Sequence, residues 1–455
     1  MNKILTLYSV ALLATVISAA QPGNIDLSFN PGTGADGYSI EAIAVQPTDG
    51  RIIVGGAFGS FNGTTCNNLV RLEQSGDVDL SFLHGVGTND DVRCITLLPD
   101  GKLMIGGLFT TFNGAAVNGV MRLNADGSLD PAFAPTVSFI FTDAIAIQPD
   151  GKYLIAAVGL ARLTATGELD PSFSHQFGLL INAVVIQPDG KILIGGGFDN
   201  WAGTPRSGIA RLHPDGSLDM TFDPGSGTDF PVETVALLPS GKILIGGGFQ
   251  LFNGQPHEGI VRLNSDGSYD STFGPVNEGA TAVYSISVQA DERIVIGGIM
   301  GSYDGVEVDN ICRLQTNGLL DMTFRPGTEI GTDFPVYSTT LQPDGKVLIG
   351  GVFTTYDSVD RNHIARLSND PVGIPEIRGD SIALYPNPFT DGTTVRSEDG
   401  KPIRVVLYDP QGRLVHDKVL NGETYIDLQG LANGTYTAFF WKELERIHKV
   451  QLIKQ

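Results

Sequence analysis

Four short apolar or alternating runs, separated by Gly-containing turns, recur along this chain with a period of roughly 50 residues. One copy occupies residues 184–222. Val184-Val185-Ile186-Gln187 enters a Pro188-Asp189-Gly190 turn and leaves as Lys191-Ile192-Leu193-Ile194-Gly195-Gly196. A loop holding Trp201-Ala202-Gly203 leads to Ile209-Ala210-Arg211-Leu212. After Pro214-Asp215-Gly216 comes Ser217-Leu218-Asp219-Met220-Thr221-Phe222. Period-two alternation, β-branched residues and Asp-Gly punctuation predict four strands per copy and no helix. Arg-Leu pairs at Arg71, Arg122, Arg162, Arg211, Arg262, Arg313 and Arg366 mark seven copies, 49 to 53 residues apart except for one step of 40.

The copies are offset at the two ends. The last stops after Arg366-Leu367, without the Leu-Asp-x-x-Phe segment of its sisters, and that segment stands as an orphan at Ile25-Asp26-Leu27-Ser28-Phe29. The offset predicts an all-β, seven-bladed β-propeller in which an N-terminal strand closes the last blade. A solenoid is the alternative, but it has no reason to split a repeat. Pairing residues 26–29 beside 364–367 makes the Leu-Asp-x-x-Phe strand outermost. Both Asp-Gly hairpins then fall on one face. The Pro-Gly loops (Pro31-Gly32, Pro224-Gly225) and the aromatic-Asn-Gly loops fall on the other, where binding is expected.

Arg and Asp recur eight residues apart, as in Arg71/Asp79 and Arg211/Asp219. A three-residue hairpin loop such as Ala125-Asp126-Gly127 would set Arg122 opposite Asp130, a structural cross-strand pair of about 0.2–1 kcal/mol. The same rule predicts that Asp26 meets Arg366. The Asn-x-Asp-Gly-Ser-x-Asp runs lack the spacing and distal Glu of a calcium loop, so no metal and no cofactor is expected.

Candidate ligand-binding residues are Trp201 and Phe112 from the aromatic-Asn-Gly loops, with His175, Asp90 and Asp91, which break the repeat on the loop-rich face. Copy three loses nearly all of its second loop between Ala157 and Ala161. That loss predicts a notch bordered by Trp201 and Phe112. No His-Glu-x-x-His, Gly-x-Ser-x-Gly or phosphate loop occurs, so catalytic residues are unknown.

Composition narrows the partners. The chain has 455 residues and a net charge of −21. Residues 21–381 hold 41 acids against 19 bases, which argues against nucleic acid. Residues 1–20 read as a secretory signal, with Lys3, an apolar core and Ser18-Ala19-Ala20 before Gln21, and no transmembrane segment is expected in the mature chain. Cys66, Cys94 and Cys312 are expected to be free, Cys66–Cys94 being the alternative. A linker is read at 371–381, and 382–455 reads as a small Ig-like β-sandwich of about seven strands.

The strings Ile186-Gln187-Pro188-Asp189-Gly190-Lys191 and Asn124-Ala125-Asp126-Gly127-Ser128-Leu129-Asp130 resemble the delta-60 repeat family, which implies a propeller without an established activity. The C-terminal module resembles the type A sorting domain of type IX secretion in Bacteroidota. The matching residues are Leu384-Tyr385-Pro386-Asn387-Pro388-Phe389, Gly412, Gly434 and Lys449. This resemblance implies passage through the type IX secretion machinery and release or attachment at the outer surface. The function expected is a non-catalytic module binding an extracellular glycan or protein. An extracellular polysaccharide hydrolase or lyase is the alternative.

Overall fold

Asp-Gly and Asn-Gly turns close antiparallel hairpins throughout the repeat region, and these stack as seven blades. The computed structural model describes residues 22–369 apart from 83–84, 140, 275–279 and 325–330. C-terminally it describes 382–385, 392–397, 403–408, 414–420, 424–431, 434–442 and 445–454. The expected signal (1–20), the linker (371–381), and Pro386, Asn387, Pro388, Phe389 and Gly412 lie outside the described residues. Residues Gln21–Asn369 form one compact unit.

In blade 4 the inner strand Gln176–Ile186 pairs with Ile192–Gly197, which pairs with Ile209–Leu212. The other inner strands are Ala35–Val45, Val92–Leu97, Ala144–Ile147, Val232–Leu237, Ala280–Val288 and Val336–Leu341. Buried Ile, Leu and Val from adjacent blades fuse into clusters such as Leu193, Ile209, Phe222, Val232, Ile243 and Ile245.

The expected fourth strand is reduced to one bridge per blade, for example Leu123↔Leu129 and Leu212↔Leu218. The Asp side chain explains this. Asp219 Oδ1 accepts from the Thr221 N–H at 2.9 Å, while the Phe222 N–H donates to the Asp219 carbonyl. These local bonds turn the chain before a ladder can extend. Ring closure uses the same element: Ile25 bridges Leu367, and the Asp26 N–H donates to the Arg366 carbonyl at 2.8 Å.

Copy three also departs from expectation. Extended backbone is continuous over Tyr153–Leu163, with Gly159 at φ 130. Across the place of the missing loop the inner strand of blade 4 begins early and pairs Leu180, Phe177 and Gln176 with Val158, Gly159 and Leu160.

Every blade carries one buried Arg–Asp–Phe clamp. The Arg Nε to Asp Oδ2 distances are 2.6–2.9 Å, and the guanidinium lies 4.6–5.2 Å from the Phe ring centroid. Arg366 meets Asp26 at 2.7 Å over Phe29. A second cation from the inner hairpin reaches the same carboxylate, as Lys191 does Asp219 at 3.0 Å. Arg71, Arg122, Arg162, Arg211 and Arg366 also donate through Nη1 to turn carbonyls of the following blade, at 2.5–2.7 Å. These groups are buried, so the exposed cross-strand value of about 0.2–1 kcal/mol does not describe them.

The C-terminal residues form two antiparallel sheets. One contains Ile382–Tyr385, Gly392–Ser397 and Thr424–Asp427; the other Leu414–Leu420, Ile403–Tyr408, Gly434–Lys442 and Glu445–Lys454. Val395 and Ile426 of the first share a core with Val405, Leu407 and Ala438 of the second. Leu384, Tyr385, Gly434 and Lys449 lie on these strands.

Burial pushes the clamp carboxyls up, but Ser/Thr, Lys and Arg hydrogen bonds outweigh it. Asp130 is lowered to about 2, and Asp26, Asp79, Asp170, Asp219, Asp270 and Asp321 are lowered also. A folded-state pKa below the unfolded one gives stability that is complete above about pH 4 and lost as pH falls through the folded values. The melting temperature should therefore drop steeply between about pH 4 and pH 2. A flat profile by circular dichroism over that range would contradict the clamp assignment.

Candidate functional site

The inner strands begin at the loop-rich face, and six carry a β-bulge in their pairing with the second strand. The paired register skips Glu41 in blade 1, Arg93 in blade 2, Asn182 in blade 4, Glu233 in blade 5, Tyr284 in blade 6 and Tyr337 in blade 7. Asp143 holds the matching place in blade 3, just ahead of Ala144–Ile147. A bulge inserts one unpaired residue and re-aims its side chain. In six blades it takes one polar or aromatic residue out of the ladder.

The Gly-Gly pairs of the second strands make the bulges possible. A Cβ on Gly247 would sit 2.2 Å from the Pro231 carbonyl oxygen, and one on Gly56 2.2 Å from that of Ser39. The preceding glycine serves the blade interface: a Cβ on Gly195 would meet Val232 of the next inner strand at 2.7 Å. The repeated Gly-Gly thus trades side chains for close approach on both sides.

Neighbouring blades bring these residues into contact at four places. Arg93 Nη1 lies 2.7 Å from Asp143 Oδ1, and Arg93 Nε lies 3.8 Å from Glu41 Oε2. Asn182 Nδ2 donates to Glu233 Oε2 at 2.8 Å. The Tyr284 and Tyr337 rings meet edge to face at 5.4 Å. All seven are half-buried. Burial pushes Glu41, Asp143 and Glu233 up, with Arg93 opposing at the first two and the Asn182 amide at the third.

Around this ring stand exposed aromatics. Tyr38 is 81% exposed, Phe177 64%, Phe230 57%, Phe334 55% and Phe141 46%, so each offers a free face. Each lies two to five residues before the ring residue of its blade. Phe141 is held at φ 69, a left-handed conformation that strains a bulky residue by about 1–3 kcal/mol.

The residues singled out from sequence fall elsewhere or into structural work. Trp201 is 1% exposed and packs edge-on against Phe198, 6.3 Å between centroids. Phe112 is buried as well. Both stand at the base of two-residue hairpins whose central residues have positive φ (Ala202-Gly203, Asn113-Gly114), which turns the aromatic inward. Neither ring presents a stacking face, and they border no notch. His175 Nδ1 accepts the Arg162 N–H at 3.3 Å while its Nε2 faces the Asp170 carbonyl at 2.8 Å, so backbone occupies both nitrogens. Asp90 and Asp91 lie in the loop entering blade 2, next to the ring residue Arg93. Asp90 accepts from the Asp91 N–H, and burial followed by the Asp90 charge raises the Asp91 carboxyl.

Residues 227–232 and 331–336 share the sequence Gly-Thr-Asp-Phe-Pro-Val, and both loops are pinned in the same way. Asp229 Oδ1 accepts from the Gln250 and Leu251 N–H groups, and Asp333 Oδ1 from those of Thr354 and Thr355. With the loops pinned in this way, Phe230 and Phe334 are left pointing outward. The ring residues went unnoticed in sequence because no two neighbouring copies repeat them, apart from the tyrosines. The signal available is a position that varies between a β-branched residue and a small one in every copy, as in Ile40/Ala42, Val92/Cys94, Thr142/Ala144 and Val336/Ser338.

A family profile described as "Domain of unknown function (DUF5122) beta-propeller" matches residues 48–82, 98–133, 148–173, 187–222, 238–273, 289–324 and 342–370. One described as "Secretion system C-terminal sorting domain" matches 383–454. No curated protein matches the sequence. Among solved structures, the WD40 β-propeller domain of Doa1 is similar at 13% identity with a TM-score of 0.51, over 76% of this chain and 96% of that one. This likeness is one of fold alone. The extracellular domain of a B. thetaiotaomicron one-component system matches at 15% identity and TM-score 0.49, over 84% of this chain; the chain spans 45% of that protein. A Staphylococcus aureus virginiamycin B lyase matches at 14% identity and TM-score 0.49, over 74% and 97%.

The bulge geometry is testable through two neighbouring glycines. Gly247→Ala should cost about 1–3 kcal/mol by forcing Cβ onto the Pro231 carbonyl. Gly248→Ala, with nothing within 4 Å of its Cβ, should stay within about 0.5 kcal/mol of the parent. Equal urea midpoints for the two variants would refute the close approach.

Proposed function

The chain belongs to the DUF5122 β-propeller family, and from that premise we propose that its propeller is a non-catalytic module binding an extracellular glycan on the loop-rich face. The sorting domain makes it a type IX secreted protein, delivered to the cell surface or the extracellular space. In this reading residues 1–20 are the signal removed before Gln21, 21–370 the propeller, 371–381 the linker, and 382–455 the tag that engages the secretion machinery.

One observation carries the reading: exposed aromatic faces surround a ring of carboxylates, an amide and a guanidinium at one mouth of the propeller. Sugars offer an apolar face to stack on an aromatic ring and hydroxyls to bond with carboxylate, amide and guanidinium groups. Tyr38, Phe141, Phe177, Phe230 and Phe334 supply the first kind of contact, and Glu41, Arg93, Asp143, Asn182 and Glu233 the second.

The raised carboxyls of Glu41, Asp143 and Glu233 favour a second reading, hydrolysis or elimination on an extracellular polysaccharide, because raised carboxyls suit general acid work. A reducing-end and unsaturated-product assay on the polysaccharides that bind separates the two. Binding without product is the expected result.

Phe230→Ala and Phe334→Ala should each weaken binding to a glycan identified on an array by about tenfold, with unchanged melting temperatures. Retention of full affinity by both variants would sink the binding face. Deleting 382–455 should hold the protein in the periplasm, read by fractionation; export at the parental level would refute the role of the tag.

A further inference from the structure

Charge is distributed unevenly around the ring. Arg93 stands between Glu41 and Asp143 and is paired with both, at 3.8 and 2.7 Å. Glu233, two blades beyond Asp143, has only the Asn182 amide as a side-chain donor at 2.8 Å, and among the described residues no cationic side chain pairs with it. Its other neighbour on the ring is Tyr284, whose phenol feels the Glu233 charge. Tyr337 follows, set edge to face against Tyr284 at 5.4 Å and within the field of Glu41. Three carboxylates to one guanidinium leave the ring two negative charges in excess.

A half-buried carboxylate without a counter-cation costs free energy that a bound cation recovers. Tyr284, at the equivalent bulge of the adjacent blade, and Tyr337, in contact with it, supply a surface that attracts cations through their π faces. The domain around it is strongly acidic, 41 acids against 19 bases in residues 21–381, so cationic ligands are drawn to it from solution. We propose that the arc Glu233–Tyr284–Tyr337–Glu41 is a subsite for a primary ammonium group, and that the glycan taken by this face is an amino sugar polymer with free, protonated amines. This rests on the glycan reading above and specifies its ligand class. Asn182 positions Glu233, the two tyrosines flank the ammonium, and Tyr38 and Phe230 lie close in sequence to Glu41 and Glu233 to stack on adjoining sugars.

The test is calorimetric titration of the full chain with a glucosamine tetramer and, separately, an N-acetylglucosamine tetramer, at about pH 6.5 where an amine of this type is protonated. The cationic tetramer should bind at least about tenfold more tightly, and the preference should shrink at high salt. Glu233→Gln should abolish the preference for the cationic tetramer while leaving the melting temperature unchanged. Tyr284→Ala should weaken the cationic tetramer more than the neutral one, which keeps the test open should Glu233→Gln fold poorly. Equal binding of both tetramers, or binding of other glycans only, overturns the ammonium subsite and leaves the glycan reading standing. A preference that survives Glu233→Gln overturns the assignment to this arc. Binding of a lysine-rich peptide with no glycan bound overturns both.

Discussion

A guanidinium buried beside its own blade's carboxylate, over that blade's phenylalanine and against the next blade's turn, is the contact on which the propeller depends. It joins three levels at once. Within a blade it fixes the outermost residue pair, as Arg211 does with Asp219 at 2.8 Å. Under it the Phe222 ring seals the core. Across the interface its Nη1 donates to the Ser265 carbonyl. Burying charge is costly unless every donor finds an acceptor, and the geometry meets that demand with a carboxylate, a carbonyl and an aromatic face. Seven such clamps make a ring whose blades cannot slide past one another without exposing an unpaired charge.

With the outer parts fixed, the inner strands are free to carry irregularity. Six of the seven carry a bulge where a glycine of the neighbouring strand gives up its side chain, as Gly247 does against the Pro231 carbonyl; blade 3, with Ala156-Ala157 there, pairs without a register shift. The bulge is where structure turns into chemistry. It converts a repeated strand into a mount for a residue that need not repeat, so seven equivalent positions hold Glu41, Arg93, Asp143, Asn182, Glu233, Tyr284 and Tyr337. The scaffold is therefore symmetric and the surface it presents is not.

Repetition made much of this legible in the amino-acid sequence. The eight-residue Arg–Asp spacing and the offset ends pointed to a closed ring because a hairpin loop of fixed length leaves one register. What escaped was whatever a register cannot encode. The fourth strand shrank to a bridge because Asp219 and its equivalents bond their own backbone, an effect invisible to alternation counting. Trp201 looked like a ligand platform because it stands in a loop, yet a two-residue hairpin with positive φ at both central positions drives it into the core. The missing loop of copy three gave no hint that the neighbouring strand extends back to Gln176 and pairs across its place. The ring itself was overlooked because a bulge leaves no periodic mark.

The most direct test of closure is a double-mutant cycle on the clamp formed by the two most distant parts of the propeller. Asp26→Asn, Arg366→Gln and the double variant would be compared with the parent by urea unfolding, following the propeller. Residues 340 apart in sequence but 2.7 Å apart in space should couple. The expected result is a coupling energy of about 1–3 kcal/mol, with the double variant no less stable than the worse single one by more than about 0.5 kcal/mol. Strictly additive losses would contradict a ring closed by this contact.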